Sequence, residues 1–342
     1  MAGSTTSGAE IRDAVYDQAV AERHLGLLSM VAPMLDEEGT ARVFYERVRS
    51  ALEGLSWELV IVDDGSTDET PRILAELARD DERVKVVTLS RNFGHQTAIT
   101  AGLDHAAGDV VVMIDADLQD PPELVPTMLE HWRVGSDVVY AMRTDRSGES
   151  HFKLTTARWF YRIMSKVSDV PLAQNSGDFR LLDRRALDAL LAMRESNRYL
   201  RGMTSWVGFT QTAVPYHRDA RHAGTTKYPI RKMIRFALDA IASFSHAPLQ
   251  IATVAGFVSA FLAFLAIPVA IVFRIFGKFV PGVTTTVVAV LLLGGIQLMA
   301  IGMIGEYVGR IYDEVKRRPL YVVRDRLNVA AATKDEHEHT PA

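Results

Sequence analysis

Two long segments without a charged residue lie in the last third of this 342-residue chain. Residues 251–273 and 282–305 span 23 and 24 positions, respectively. An α-helix needs about 20 predominantly apolar residues to cross the hydrocarbon core of a bilayer, so each segment has the length of one span. The linker between them, residues 274–281, is short. The sequence therefore predicts a transmembrane hairpin of two helices within residues 250–306.

Basic residues flank the predicted hairpin on both sides, and they predict its orientation. Those near the two ends are Arg231, Lys232, Arg235, Arg310, Lys316, Arg317 and Arg318. Because cytoplasmic flanks of spans carry an excess of Lys and Arg, we expect a multi-pass protein of the cytoplasmic (inner or plasma) membrane. Its N-terminal domain and both termini would face the cytoplasm. Residues 229–246 predict an amphipathic helix at the membrane interface, with an ordinary core-packed helix as the alternative.

The two ends of the chain, its net charge and its lack of cysteine bear on targeting, on nucleic-acid binding and on the kinds of metal site. Residues 1–24 contain no apolar stretch resembling a signal peptide and predict a flexible leader. Residues 307–342 predict a cytoplasmic C-terminal segment and tail. The net charge of −4 argues against general nucleic-acid binding. The absence of cysteine excludes disulfides and cysteine-ligated metals.

Residues 25–228 alternate between strand patterns and helix patterns. Strands are expected at 25–33, 57–62, 84–89, 109–114 and 137–141, and helices at 37–55, 67–79, 98–107 and 122–132. This alternation predicts an α/β domain with a mostly parallel sheet and helices on both faces. Ligands bind at the carboxyl ends of the strands in such sheets. Residues 143–228 are more polar and less regular, which suits a subdomain for a second substrate.

An acidic segment follows the predicted strand that ends at Ile114. Asp115 and Asp117 place two carboxylates on alternate residues, an arrangement that suits Mg²⁺ or Mn²⁺ shared with a diphosphate. An Asp-X-Asp pair alone is common in surface turns. The apolar strand before it and a second acidic turn at a neighbouring strand end favour the metal site.

The second acidic turn consists of Asp63, Asp64 and the residues that follow. A carboxylate at a strand end can accept hydrogen bonds from a base or a ribose, although an Asx-turn with a helix cap is an alternative interpretation. Arg91 and Gly94 follow the next strand and are expected to line the same pocket. His95, beside them, is interpreted as structural rather than as a catalytic base.

Several runs of this sequence resemble inverting family 2 glycosyltransferases with the GT-A (Rossmann-like) fold. The shared runs are residues 28–38, 60–70, 90–102 and 108–123. Three more resemble the polyprenyl-phosphate glycosyltransferases, the group of bactoprenol glucosyltransferase and dolichyl-phosphate mannose synthase: residues 175–181, 221–228 and 305–312. The resemblance covers residues 27–322. One departure is Pro33-Met34-Leu35-Asp36-Glu37-Glu38, where the family pattern is Pro-X-Tyr-Asn-Glu-Glu.

The resemblance implies a role for each matching position. The nucleotide of the donor would contact Pro33, Asp63, Asp64, Arg91, Gly94 and Asp115. The metal would be held by Asp117 and Gln119, and the catalytic set would be Asp115, Asp117, Asp178, Arg221 and Lys227. The acceptor phosphate would be bound by Arg143, Arg158, Arg221 and Lys227.

The implied reaction is metal-dependent transfer of a sugar, with inversion, from a nucleotide-sugar to undecaprenyl or decaprenyl phosphate. UDP-hexose or UDP-N-acetylhexosamine is favoured over GDP-mannose as donor, and the product would serve cell-envelope glycosylation. A processive polysaccharide synthase is disfavoured by the lack of a Gln-X-X-Arg-Trp motif, and a non-enzymatic membrane scaffold by the presence of Asp117 and Lys227. A homo-oligomer such as a tetramer is also expected, in which residues 320–323 add a strand to a neighbouring subunit.

Overall fold

The computed structural model describes residues 23–144, 176–216 and 282–329, with a few positions between 256 and 272. The chain divides into two units. The first consists of Met1–Ala157, Leu172–Thr226 and Pro319–Ala342, and the second of Arg158–Pro171 and Lys227–Arg318. The sheet and the acidic segments all belong to the first unit.

Four parallel strands form the centre of the sheet in the first unit. They are β1 (Leu28–Met34), β2 (Trp57–Asp63), β3 (Val84–Leu89) and β4 (Val110–Met113). β1 lies between β2 and β4, and β3 pairs with the other edge of β2. All seven residues of β1 and all seven of β2 are buried, as expected for parallel strands covered by helices on both faces.

Four further strands extend the sheet on both sides. They are β5 (Val138–Arg143), β6 (Ser176–Asp183), β7 (Gln211–Tyr216) and β8 (Val323–Leu327). The spatial order is β7-β5-β6-β4-β1-β2-β3-β8. β6 runs antiparallel to both β4 and β5, and β8 runs antiparallel to β3. The predicted mostly parallel α/β sheet is therefore confirmed, with antiparallel additions.

The helices of this unit bury residues in the core of the domain. They are α1 (Ala41–Ala51), α2 (Thr70–Asp80), α3 (His95–His105), a 3₁₀ turn (Pro122–Leu124), α4 (Val125–Arg133), α5 (Arg184–Ala192) and α6 (Leu200–Trp206). Phe44 and Val48, one turn apart on α1, are fully buried. The four predicted helices are confirmed, although α1 begins at Ala41 because residues 38–40 form a turn.

Residues 176–216 are more regular than the sequence predicted, since they contain two strands and two helices. The apolar alternation of β6 is hidden because Asp178 and Arg180 are buried polar residues within the strand. Burial of charged groups requires partners. Asp178 meets its partners Gln96 and Arg201 only through the fold, so no local sequence pattern predicts the strand.

The prediction that residues 320–323 add a strand to a neighbouring subunit is wrong for the described chain. β8 begins at Val323 and pairs with β3 of its own chain. The backbone amide of Ser90 donates to the carbonyl oxygen of Val322 at 2.9 Å. The Asn328 side chain donates to the carbonyl oxygens of Ala78 and Val84. β3 would otherwise present an unpaired edge, and β8 covers it.

In the second unit, the structure describes a 33-residue helix, α7 (Val283–Val315). Within the described part of the chain, no helix combines the length and the apolar character required to cross a membrane. Most of the predicted first span, and all of the predicted interfacial helix at 229–246, lie outside the described residues. The membrane hairpin therefore stays a prediction.

Gly65 lies in the turn after β2, where it packs against the loop that follows β3, and it has a φ of +81°. A Cβ added at Gly65 would lie 2.7 Å from the carbonyl carbon of Arg91 and 2.8 Å from the amide nitrogen of Asn92. Both atoms belong to the backbone, which cannot rotate away as a side chain could. The two loops approach this closely only because residue 65 has no side chain.

We expect three Gly→Ala variants to separate backbone strain from this close approach. Gly39 has neither a positive φ nor a neighbour within 4 Å, Gly54 has a φ of +80° in open space, and Gly65 has both constraints. Gly54→Ala should cost about 1 kcal/mol of stability, Gly65→Ala more than about 2 kcal/mol, and Gly39→Ala close to nothing. Thermal unfolding of the purified variants measures the order, and equal effects at positions 54 and 65 would contradict it.

Candidate active site

The carboxyl ends of the central strands bring the predicted donor residues to one edge of the sheet. Asp63 is the last residue of β2 and pairs in register with Met34 of β1, while Pro33 pairs with Val62. Asp115 follows β4, whose Met113 pairs with Val31 of β1. Because these strands are parallel, their carboxyl ends share the same edge. Pro33, Asp63 and Asp115 therefore lie there together.

The acidic turn after β2 has two carboxylates with different surroundings. Asp63 Oδ1 accepts from the Ser66 amide at 2.9 Å, whereas the buried Asp63 Oδ2 has no hydrogen-bond partner among the described residues. Asp64 accepts from the amides of Phe93 and Gly94, at 2.7 and 2.9 Å. Burial raises the pKa of Asp64, and the two amides oppose that rise. Asp63 thus makes the Asx-turn and has one oxygen without a partner among the described residues, while Asp64 holds the next loop.

That next loop contains Arg91 and Gly94, as predicted for the donor pocket. The exposed Arg91 guanidinium lies over the Phe93 ring, 3.9 Å from the ring centroid. Gly94 is the residue before α3 and has a φ of +98°. The loop is held to β2 by Asp64, so Arg91 and Gly94 are fixed relative to Asp63.

Asp36 belongs to the segment after β1 that departs from the family pattern, and its side chain connects two loops. Its φ is +54°, a conformation that Asp and Asn tolerate better than most residues. Asp36 Oδ1 accepts from the Thr67 amide at 2.8 Å, and the Asp36 amide donates to Ser66 Oγ at 3.0 Å. Asp36 therefore forms a polar bridge between the loops that follow β1 and β2.

Among the described carboxyl groups, Asp115 has a markedly raised tendency to keep its proton. Its Oδ1 is buried with no hydrogen-bond partner among the described residues, and His95 Nε2 lies 3.4 Å away. Burial raises the pKa of Asp115 to about 6, and the negative charges of Asp178, Asp120 and Asp117 act in the same direction. A cation in this position would stabilise the ionised form.

Asp178, on β6, stays ionised although it is buried. Its Oδ1 accepts from Arg201 Nε at 2.8 Å, and its Oδ2 accepts from Gln96 Nε2 at 3.2 Å. His95 Nε2 lies 3.3 Å from Asp178 Oδ2. Burial alone would raise the pKa of Asp178, but the contacts with His95 and Arg201 outweigh it and hold the pKa below its usual range.

The sequence did not identify Arg201 or Gln96 as part of this site. Both meet Asp178 only through the fold, since α6 and the start of α3 converge on β6, and no local motif marks either residue. His95, interpreted from the sequence as structural, bridges the carboxylates of Asp115 and Asp178. His95 therefore lies inside the candidate site, where its ring contacts both carboxylates.

The segment from Asp117 to Asp120 is held in a strained turn. Leu118 has a φ of +61°, which is unfavourable for a residue with a branched side chain. The Gln119 amide donates to Asp117 Oδ1 at 3.1 Å, and Arg47 Nη1 donates to the Leu118 carbonyl oxygen at 3.4 Å. Strain of this kind concentrates at functional sites.

The carboxylates fit a hard divalent cation only in part. Among the residues described, no group of three or more His, Cys, Asp or Glu side chains is arranged to hold a metal ion. The buried Asp115 Oδ1 nevertheless lacks a hydrogen-bond partner there. Mg²⁺ is commonly bound through one or two carboxylates plus phosphates of a substrate. Asp115, Asp117 and Gln119 match that incomplete set, which phosphate oxygens would complete.

On the acceptor side, the structure describes one of the four predicted basic residues. Arg143, at the end of β5, donates from Nε to the hydroxyl oxygen of Tyr216 at 3.2 Å. Arg158, Arg221 and Lys227 lie outside the described residues. Their assignment to the acceptor phosphate stays a prediction.

The raised pKa of Asp115 generates a prediction for stability. The folded state binds this proton more tightly than the unfolded state, so stability falls as the pH rises from about 4 to about 6 and stays low above that. Asp115→Asn should therefore raise the free energy of unfolding by about 1–3 kcal/mol at pH 8 in EDTA, and change it little at pH 4. Thermal unfolding at both pH values measures this, with the exposed Asp188→Asn as control. A variant less stable than the wild type at pH 8 would contradict the proposed environment.

Comparison with known proteins identifies the family of this chain. Residues 29–191 match the family model described as Glycosyl transferase family 2. An uncharacterized glycosyltransferase of Bacillus subtilis strain 168, YkcC, is 47% identical over 88% of this chain and 94% of its own length. The prophage bactoprenol glucosyl transferase homolog of Escherichia coli K12 is 43% identical over 87% of this chain and 98% of its own length. The bactoprenol glucosyl transferase of Shigella phage SfII is 42% identical, over 87% and 97%. The chain is thus a glycosyltransferase that belongs to family 2.

Proposed function

We propose that this enzyme transfers a sugar from a nucleotide-sugar to a polyprenyl phosphate, with inversion at the anomeric carbon. The observation that carries the proposal is the likeness, at 42–43% identity and over nearly their full lengths, to proteins named for glucosyl transfer to bactoprenol. UDP-hexose or UDP-N-acetylhexosamine is the proposed donor, ahead of GDP-mannose. The product is a lipid-linked monosaccharide for cell-envelope glycosylation.

The nucleotide is proposed to bind at the carboxyl edge of the sheet. Asp63 Oδ2, buried and without a hydrogen-bond partner in the described chain, is available to accept from a base N–H or a ribose hydroxyl. Asp64 holds the loop of Arg91 and Gly94 through two backbone amides. Arg91 is exposed beside it, and a guanidinium suits phosphate oxygens.

A divalent cation, Mg²⁺ or Mn²⁺, is proposed to be held by Asp117 and Gln119, with Asp115 and the donor diphosphate completing its oxygen ligands. When bound, it would neutralise the charge of the departing nucleoside diphosphate. Asp178 is proposed to face the donor sugar. Its carboxylate is fixed by Arg201 and Gln96, so it keeps one orientation during the reaction.

The acceptor needs cations more than it needs a base. A phosphate monoester has a second pKa near 6, so it is largely ionised at neutral pH and can attack without losing a proton to the protein. Two anionic substrates must then be brought together against their mutual repulsion. Arg143 is proposed to bind the acceptor phosphate together with Arg158, Arg221 and Lys227. Positioning and charge neutralisation would supply most of the acceleration.

The acceptor chemistry also supports a place at the membrane. A polyprenyl phosphate carries its charged group at the bilayer surface, and the two uncharged segments at 251–273 and 282–305 would anchor the enzyme there. We propose the cytoplasmic membrane as the location, with the catalytic domain in the cytoplasm. Assembly into a homo-oligomer, such as a tetramer, is proposed as well.

A transfer assay tests the reaction. The purified protein is incubated with undecaprenyl phosphate, Mn²⁺ or Mg²⁺, and a panel of labelled UDP- and GDP-sugars. We expect label from one donor to enter the organic phase, at a rate at least about 100-fold lower for Asp117→Ala. The exposed Asp188→Ala should retain full activity.

The other outcomes distinguish the alternatives. Free polymer in the aqueous phase would favour a processive synthase. Intact nucleotide-sugars with every donor and both cations, from a protein that unfolds cooperatively, would contradict the proposed transfer and favour the scaffold.

A further inference from the structure

Tyr216, the last residue of β7, lies between the donor side and the acceptor side of the candidate site. β7 pairs in parallel with β5, and the register sets Tyr216 opposite Arg143. The hydroxyl oxygen of Tyr216 accepts from Arg143 Nε at 3.2 Å. The same hydroxyl donates to Asp120 Oδ1, at the end of the acidic segment. One phenol thus connects that segment with the arginine.

The surroundings of Tyr216 fix the direction of these hydrogen bonds. The residue is only 5% exposed, and its ring meets Phe179 edge-on with centroids 6.2 Å apart. Burial and the negative charge of Asp120 raise the pKa of Tyr216 to about 12. The phenol therefore keeps its proton at neutral pH and donates a hydrogen bond to Asp120. Its oxygen lone pairs remain available to the guanidinium.

Arg143 is also confined by the backbone of β6. A Cβ added at Gly177 would lie 3.0 Å from Arg143 Nη2, so the guanidinium occupies space that a side chain at 177 would fill. Arg143 is thus held through Nε by Tyr216 and packed near Nη2 against Gly177. An arginine is long and flexible, and holding it in advance lowers the entropy lost when it binds a phosphate.

We propose that Tyr216 is a positioning residue: anchored on Asp120, it holds the Arg143 guanidinium in the orientation that binds the acceptor phosphate. The inference rests on the proposed function, because it takes Arg143 to be an acceptor-phosphate residue. Tyr216 itself does not touch the reacting atoms. Its removal should therefore weaken the acceptor side while leaving nucleotide binding intact.

Equilibrium binding to the purified full-length protein in detergent tests this without requiring transfer. Farnesyl phosphate serves as the isoprenoid phosphate probe, and UDP with Mn²⁺ as the nucleotide probe. Tyr216→Phe should bind farnesyl phosphate about tenfold more weakly, the loss typical of a hydrogen bond to a charged group, and UDP within about twofold of the wild type. In an Arg143→Ala background, Tyr216→Phe should cause no further loss of farnesyl phosphate binding.

Tyr45→Phe is the matched control. Its hydroxyl also donates to a carboxylate, Asp81 Oδ2 at 2.9 Å, and Asp81 is likewise engaged by an arginine, Arg83. That group lies on α1 and the loop before β3, where the site residues are absent, so both probes should bind normally. A comparable melting temperature for the two Phe variants separates loss of positioning from loss of folding. Asp120→Asn, which weakens the anchor, should reduce farnesyl phosphate binding in the same direction as Tyr216→Phe.

The other binding results would contradict either the positioning role of Tyr216 or the proposed acceptor. Equal weakening of both probes, an unchanged affinity for farnesyl phosphate, or a further loss in the Arg143→Ala background would overturn the positioning role of Tyr216. A wild-type protein that binds UDP but no farnesyl phosphate would overturn the proposed acceptor, and the inference with it.

Discussion

The candidate site depends on holding several negative charges close together at one edge of a parallel sheet. The pairing of β1 with β2 and β4 brings Asp63 and Asp115 to that edge, and β6 adds Asp178. Buried like charges repel one another strongly. The protein offsets part of this repulsion with His95 and Arg201. Burial, with a smaller contribution from the neighbouring carboxylates, raises the pKa of Asp115 to about 6. A divalent cation bound here would offset the repulsion that remains.

The two sides of the site are built by different means. On the donor side, loops are tied together by short contacts between a carboxylate and backbone amides, as in Asp64 with Phe93 and Gly94. On the acceptor side, the contacts run between side chains, from Arg143 through Tyr216 to Asp120. The amide contacts fix a loop, whereas the phenol fixes the orientation of a single guanidinium.

The first half of the fold and of the site could be predicted from sequence because its signals are local. Val110–Met113 followed by Asp115 is a buried strand ending in carboxylates, and the register of parallel strands then places Asp115 beside Asp63. Residues 176–216 were not predicted as regular, since the buried charges of Asp178 and Arg180 break the apolar pattern and find partners only through the fold. β8 was assigned to the wrong partner because a strand sequence does not specify which edge it covers.

The carboxylates around Asp115 are proposed to form a nucleotide site that a divalent cation completes. The most direct measurement is the affinity of the purified protein for UDP, titrated at neutral pH with Mn²⁺, with Mg²⁺ and with EDTA. Without a cation, the diphosphate and the carboxylates repel each other, so UDP should bind at least about tenfold more weakly in EDTA than with one of the two ions. An affinity for UDP that is the same in EDTA as with either ion would contradict the account.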